Sequence, residues 1–381
     1  MKVACISHGS IVGLNRRPYD LLRTAHGIDM TVIVPETWAG DLPAPAIRFT
    51  PEPGGDCRAL PVRRSGNGSL FTLKGLAATL RALQPDLILL DEEPWSLAAW
   101  QTLRARLAAP LLFYTKQNIA KRLPPPFGFV RRFTYRRAAC AWAVGGTTAE
   151  VLAATGFTKP VDIVPHGVEI SAFLPGRDDE RRRALGLEGV VIGYAGRLVE
   201  EKGLRDLLAA ARLLADRTTT PFTICIAGAG PLASEVEHAA AHDGVRIRLL
   251  PAVPHHEAPG LYRLMDIFVL PSRETPRWRE QFGRALVEAA ATALPIVACG
   301  TGEIPFVMQG LGGGGAVVPA ESPAALASAL EALVADPPRR AGIGAANLEA
   351  ARRGYSQEAI ASRMASLLEA IPAHYTPRTR P

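Results

Sequence analysis

The chain lacks any apolar run approaching the roughly 20 residues that a membrane-spanning helix requires. Its opening, MKVACISHGS, has one Lys and a short apolar stretch, too short for the core of a signal peptide. The expected address is therefore cytoplasmic, or peripheral on the inner face of a membrane. Cysteine is scarce: Cys5, Cys57, Cys140, Cys225 and Cys299 make an odd set of five with no CxxC pair. Cys5, Cys140, Cys225 and Cys299 lie in apolar, strand-like contexts, which reads as reduced core residues rather than a disulfide scaffold or structural metal site. No His/Cys/carboxylate cluster has metal-ligand spacing, and PHHE at 254–257 reads as a loop. Lysine is also rare. Only six occur (2, 74, 116, 121, 159, 202) among 43 Lys+Arg, so an Arg cluster says little here and each Lys says more.

What is present is a chain of 381 residues, 48% hydrophobic and 21% charged. That is a globular composition with enough length for two domains of ordinary size. The formal charge of +7 is uneven. Residues 1–168 hold 20 Lys+Arg against 12 Asp+Glu, and residues 169–381 hold 23 against 24, so the whole excess lies in the first part. Such a field favours an anionic partner: phosphate, an acidic lipid surface or nucleic acid.

Short apolar runs alternate with helical patterns throughout. KVACIS (2–7), DMTVIV (29–34), DLILLD (86–91), PLLFYT (110–115) and CAWAVG (140–145) read as buried parallel strands with helical crossovers. The Pro/Gly/Arg-rich stretch 51–69 reads as a long functional loop. A second series starts near residue 190: VVIGYAG (190–196), PFTICIAG (221–228), VRIRLLP (245–251), DIFVLPS (266–272), PIVACG (295–300) and GAVVPA (315–320). The polar segment 171–189 reads as the linker between the two series. The expected architecture is α/β, with two Rossmann-like, doubly wound domains facing a central cleft. Expected bounds are 1–170 and 171–357, with the C-terminal helix and tail, 358–381, a candidate to pack back on the first domain. Ligands of such sheets bind beyond the carboxyl ends of the strands.

VVIGYAGRLVEEKGL (190–204) places Arg197 and Lys202 where a strand hands over to a helix. Two cations there suit a diphosphate; surface cations beside Glu200 and Glu201 are the plain alternative. CIAGAGPLAS (225–234) has Ala233 where the dinucleotide fingerprint has its third glycine, and VRIRLL supplies no acidic residue, so a close-packing turn explains it equally well. Glu280 and Glu288 stand eight residues apart around Phe282–Gly283. A helix over that span rises about 12 Å, close to the reach from a sugar ring across a diphosphate to a ribose. A solvated amphipathic helix is the bland reading, and it leaves the combination with Arg197 and Lys202 unexplained.

In order and spacing, GRLVEEKGL, GAGPL and PSRETPRWREQFGRALVEAA…LPIVACGTGEIP resemble the donor-domain motifs of glycosyltransferase family 4, whose members have the GT-B fold, and VPHGVEISAF (164–173) resembles its interdomain segment. The resemblance implies a retaining transfer from a nucleotide-diphosphate sugar to an acceptor hydroxyl, with no metal or other cofactor. Carried over by position, it assigns Arg197 and Lys202 to the departing diphosphate, Glu280 to the donor sugar and Glu288 to the ribose. Gly196 and the amides of Phe282–Gly283 would help hold phosphate, and the base would pack at Leu250 and the loop beyond. The first-domain loops depart from the family: SHGSIVGLNRRPYD has only Gly9 at the first bend, and Lys116, Gln117 and Asn118 stand where many relatives have a His.

Candidates on the acceptor side are His8, Gly9, Asn15, Arg16, Lys116, Gln117 and Asn118. Glu92 or Glu93, in DEEPWS after a strand, could touch an acceptor, but a solvated strand end is the preferred reading. The acceptor itself, whether a glycan, a lipid-linked group or a small molecule, is not named by the sequence. PPPFGFVRRFTYRRAA (124–139) joins three Phe to four Arg, the composition of a helix that lies on an anionic membrane or of one with a solvated basic face. No stacking platform accompanies the charge, so nucleic acid is not expected. The alternatives to a transferase are another GT-B activity, phosphorylase or epimerase, and a nucleotide-sugar-binding regulator without turnover.

Overall fold

The continuous apolar runs become parallel strands. A computed structural model describes residues 1–39, 46–51 and 56–374. Residues 52–55 of the Pro/Gly/Arg-rich stretch and the tail 375–381 lie outside the described residues. The chain divides into two compact units, 1–167 with 357–381, and 168–356.

In the first unit the strands are β1 (Lys2–Ile6), β2 (Asp29–Pro35), β3 (Cys57–Leu60), β4 (Leu87–Leu90), β5 (Leu111–Thr115), β6 (Ala138–Ala143) and β7 (Val161–Ile163). They form one parallel sheet in the order β7-β6-β5-β4-β1-β2-β3. Val3 stands between Met30 and Leu87 in register. β1, β4 and β5 are buried almost end to end, which is why they read as unbroken apolar runs. The C-terminal helix, Gln357–His374, packs on helix Gly13–Thr24 of this unit.

The second unit holds β8 (Val190–Ala195), β9 (Phe222–Ala227), β10 (Ile247–Leu250), β11 (Ile267–Leu270), β12 (Ile296–Cys299) and β13 (Gly315–Val318). Its sheet is parallel in the order β10-β9-β8-β11-β12-β13, with Ile192 between Ile224 and Ile267. Both sheets therefore reverse direction of growth between their first and fourth strands. This switch point opens a crevice at the carboxyl ends, where doubly wound sheets bind ligands.

Two expectations need correction. The stretch 51–69 is not one irregular loop: Cys57–Leu60 pairs with β2 as an edge strand, and Val62–Arg63 pairs with Thr72–Leu73 as an antiparallel ribbon. The segment 171–189 is not a free linker either. Phe173 is buried with its ring 5.6 Å from that of Tyr262. Helix Asp179–Ala184 carries Arg182, which grips Asp266 through two hydrogen bonds of 3.0 and 2.8 Å. A buried guanidinium with a matched carboxylate fixes this segment to the second sheet.

Candidate functional site

At the switch point of the second sheet, the loop after β8 is stitched to the Gly-Ala-Gly turn after β9. Gly196 N–H donates to Ala227 O at 3.0 Å, Leu198 N–H to Ala229 O at 2.9 Å, and Leu232 N–H to Leu198 O at 3.0 Å. A Cβ at Gly228 would overlap the Gly196 carbonyl. These glycines thus serve close packing of two loops. The same logic positions Lys202. Gly203, at φ +67°, starts helix Leu204–Ala215, and a Cβ there would overlap the Pro271 carbonyl oxygen. The close approach sets Lys202 beside the loop that follows β11.

There Lys202 Nζ lies 2.5 Å from Glu280 Oε2, and Ser272 Oγ donates to the same oxygen at 3.1 Å. The ammonium also stands 5.1 Å from the centre of the Trp278 ring. Arg273 locks the two loops: its guanidinium holds Asp206 at 2.6 and 2.5 Å, and its N–H donates to Glu201 O at 2.9 Å. Glu280 is buried, and its carbonyl accepts Glu303 N–H at 3.0 Å. The backbone of Arg197 is held by Tyr194, whose hydroxyl donates to the Arg197 carbonyl at 2.7 Å. Its side chain is exposed and makes no ion pair among the described residues.

The helix that follows is Arg284–Ala291, so Glu280 sits in the turn before it and Glu288 lies within it. Gly283 at φ +79° supplies the bend, while the Phe282 ring is buried, 6.1 Å from that of Tyr355. Glu288 does not join Glu280. It forms a second cluster: Tyr262 Oη donates to Oε2 at 2.6 Å and His255 Nε2 lies 3.1 Å from Oε1. The hydrogen bond to Glu288 pushes the His255 pKa up, against burial and the Arg284 charge. Burial, then the Glu288 charge, pushes the Tyr262 phenol well up. Leu250 ends β10, and its carbonyl accepts Gly228 N–H at 3.1 Å. The PHHE segment beyond it is a 3-10 turn at His255–Glu257 rather than a plain loop. His255 and Tyr262 were missed in the sequence; a His pair in a chain with eight His was the available signal.

The switch point of the first sheet holds a polar network. Asp91, Glu92 and Glu93 follow β4, and they are not a solvated strand end. Asp91 accepts Ser7 Oγ at 2.7 Å and Tyr19 Oη at 3.0 Å, and its other oxygen pairs with Lys116. Glu92 accepts His8 N–H at 2.6 Å and faces His8 Nδ1 at 2.7 Å. Glu93 accepts Thr115 Oγ1 at 2.5 Å and Lys116 N–H at 3.0 Å. These donors compensate the carboxylates for leaving water. Burial pulls the His8 pKa down, but the charge and hydrogen bond of Glu92 outweigh it and the net shift is upward. Burial pushes the Glu93 carboxyl up. The His8 ring lies 4.4 Å from that of Trp38 and 5.3 Å from that of Phe71.

The other acceptor-side candidates divide. Asn15 Nδ2 donates to Gly9 O at 2.9 Å and shapes the first bend. Arg16 is 1% exposed, donates to Ser10 O at 3.0 Å and lies 5.3 Å from the Phe49 ring centre, so it serves the fold and is not presented outward. Gln117 and Asn118 are also buried, with Gln117 Nε2 donating to Ile119 O at 3.1 Å. Thus His8 and Lys116 are the candidates brought together, through adjacent carboxylates.

Comparison with known proteins follows this division. Residues 13–172 match the family model described as glycosyltransferase family 4, and residues 189–336 match that described as glycosyl transferases group 1. A D-inositol 3-phosphate glycosyltransferase of Corynebacterium jeikeium is 34% identical over 229 residues, 56% of this chain and 53% of that protein. The chain thus spans about half the length of that curated relative. The lipopolysaccharide core biosynthesis mannosyltransferase LpsB of Rhizobium meliloti is 30% identical over 249 residues, 63% of this chain and 68% of that protein. Among solved structures, Anabaena HepE in complex with UDP superposes with a TM-score of 0.71 at 18% identity, covering 97% of this chain and 100% of that one. Two family matches, the relationship to LpsB and the shared GT-B fold agree: the chain belongs to glycosyltransferase family 4.

Proposed function

We propose that this protein transfers a glycosyl group from a nucleotide-diphosphate sugar to an acceptor hydroxyl, with retention at the anomeric carbon and without a metal ion. The observation that carries the reading is the Lys202–Glu280 ion pair at the switch point of the second sheet, with Arg197 exposed on the adjoining loop. As the anomeric C–O bond to the diphosphate breaks, negative charge grows on the leaving oxygen, and Lys202 and Arg197 stabilise it there. Glu280 orients the sugar hydroxyls, and Glu288 holds the ribose. The acceptor oxygen bonds to the anomeric carbon from the face the leaving group vacates, and its proton passes to a phosphate oxygen. This route needs orientation more than a dedicated acid/base pair. A UDP-bound relative in fold supports UDP-sugars as the first donors to try.

The test is a donor screen by thermal shift, followed by product analysis with the best donor in the presence of EDTA. Nucleoside diphosphate release that Lys202→Ala and Glu280→Gln both suppress supports the reading. Release that both variants leave at the wild-type rate overturns the site assignment, and dependence on added metal overturns the metal-free route. Binding without turnover favours the regulator. Formation of sugar phosphate in inorganic phosphate favours a phosphorylase.

The helix Phe127–Arg137 supports a location on an anionic membrane surface. Phe129 is 55% and Phe133 38% exposed, with ring centres 4.4 Å apart. Arg131, Arg132 and Arg136 line a groove with Arg106, Arg137 and Lys159. Arg137 and Lys159 are occupied, donating to Ala109 O at 2.7 Å and Arg136 O at 2.8 Å. No acidic side chain pairs with Arg131, Arg132 or Arg136 among the described residues. Exposed aromatics beside unpaired arginines fit a surface of anionic headgroups.

A further inference from the structure

Lys202 is held by two groups of different kind. Its Nζ lies 2.5 Å from Glu280 Oε2 and 5.1 Å from the centre of the Trp278 ring. Among the described residues no other hydrogen bond, ion pair or ring contact reaches the ammonium. An ammonium has three N–H donors, so a carboxylate and a ring face leave it at least one for a ligand. A carboxylate holds a cation by neutralising it. An aromatic face holds a cation through its quadrupole, and the net charge stays. For a lysine that answers growing negative charge, the second kind of hold spends less of what the lysine supplies.

The chain builds a turn that brings the ring there. Both ends of 274–279 are fixed: Arg273 is tied to Asp206 at 2.6 and 2.5 Å, and Glu280 is buried. Between them Pro276 stands second in the four-residue turn Thr275–Trp278, a position that its preset φ favours. Thr275 N–H donates to Trp278 O at 2.9 Å, and Trp278 N–H to Thr275 O at 3.2 Å. Arg277 N–H donates to Thr275 Oγ1 at 3.3 Å, and Arg279 pairs with Glu274 at 2.5 Å. Trp278 is the one aromatic residue of this stretch. It is half-buried, while Glu274, Pro276 and Arg277 are exposed. Backbone closure of the turn thus sets where the indole lies.

We propose that Trp278 is a positioning residue for Lys202: its ring holds the ammonium in place with its charge available to the departing diphosphate. The proposal rests on the reading of Lys202 as the leaving-group cation and adds the residue that positions it. In that reading Glu280 also orients the sugar hydroxyls. A ring that shares the hold on Lys202 lets one carboxylate serve both duties.

The experiment is a double-mutant cycle of Lys202→Met and Trp278→Leu, with Trp278→Phe beside it, read as nucleoside diphosphate release from UDP-glucose and from GDP-mannose. With the donor that the wild type consumes faster, Trp278→Leu is expected to lower kcat by about three- to thirtyfold, the worth of a cation–π contact. The change in donor KM should be smaller. Trp278→Phe, which offers a ring face again, should recover most of the loss. In the Lys202→Met background, Trp278→Leu should change the rate by less than about twofold, because the ring has no cation left to hold. A wild-type rate in Trp278→Leu, or the same fall in both backgrounds, overturns the inference and leaves the Lys202 reading standing when Lys202→Met alone is slow. A wild-type rate in Lys202→Met overturns that reading and the inference with it, as does absence of release from both donors.

Discussion

Lys202 and Glu280, 78 residues apart in the chain, meet at 2.5 Å because β8 and β11 are neighbours at the switch point. The pair holds the ammonium against a carboxylate, beside the Trp278 ring. Charge on a departing diphosphate grows toward the transition state, so the Lys202 contribution should be larger there than in the ground state. Lys202→Ala is expected to lower kcat by about 10²–10³ with a smaller change in donor KM. Steady-state kinetics check this, and a loss confined to KM contradicts it.

A pH dependence follows from His8. Its pKa is raised in the folded protein because Glu92 outweighs burial. A group with a raised folded pKa contributes stability in full below its unfolded value, about 6.5, and loses it as pH rises through the folded value. Melting temperature should therefore carry a term that declines between about pH 6 and the raised pKa of His8. His8→Asn should flatten that term. Melting curves of both proteins across this range, compared as a difference, are the measurement; parallel profiles would refute the role.

Arg182 and Asp266 make a more costly pair to break. Arg182 is 5% exposed, and Asp266 also accepts Val191 N–H at 2.8 Å, at the start of β8. Arg182→Met leaves that carboxylate only the exposed Arg177 guanidinium, 3.8 Å away, and should destabilise the second unit by about 1–3 kcal/mol. Adding Asp266→Asn should recover part of the loss. Chemical denaturation of the two variants tests both statements.

For the basic helix, co-sedimentation with vesicles separates a docking surface from a solvated face. Binding should appear with anionic vesicles, weaken as salt rises through the physiological range, and fall on changing Phe129 and Phe133 to Ser. Equal recovery with neutral vesicles, or no binding at low salt, removes the membrane reading.

The strands that show in the sequence are those whose residues are uniformly apolar, such as Leu87–Leu90 and Ile296–Cys299, both buried throughout. Cys57–Leu60 and Val161–Ile163 escaped notice because they lie at the sheet edge, with Arg58 exposed and Asp162 half-buried, and so carry no run. In the site, Lys202 and Glu280 stood out through lysine scarcity and motif resemblance. Tyr262 and His255 did not, since they reach Glu288 across 26 and 33 residues. Burial of Asp91 and Glu92 was equally hidden: three acids in a row look solvated until Ser7 and His8 after β1, Tyr19 of helix Gly13–Thr24 and Lys116 after β5 close on them.

The ends of the second unit are paired with each other. Val168 bridges Ser356 in parallel, and Val168 N–H donates to Tyr355 O at 2.8 Å. In the first unit, Gln357 Nε2 reaches back to Gly167 O at 3.4 Å. The chain thus leaves one unit and re-enters it through neighbouring residues, and the intervening 168–356 forms a cassette with abutting termini. Two cuts and a short Gly/Ser closure would excise it, and joining its ends would permit circular permutants, since adjacent termini tolerate both operations. Cassettes from relatives could be exchanged at the same two seams, pairing one first unit with many second units.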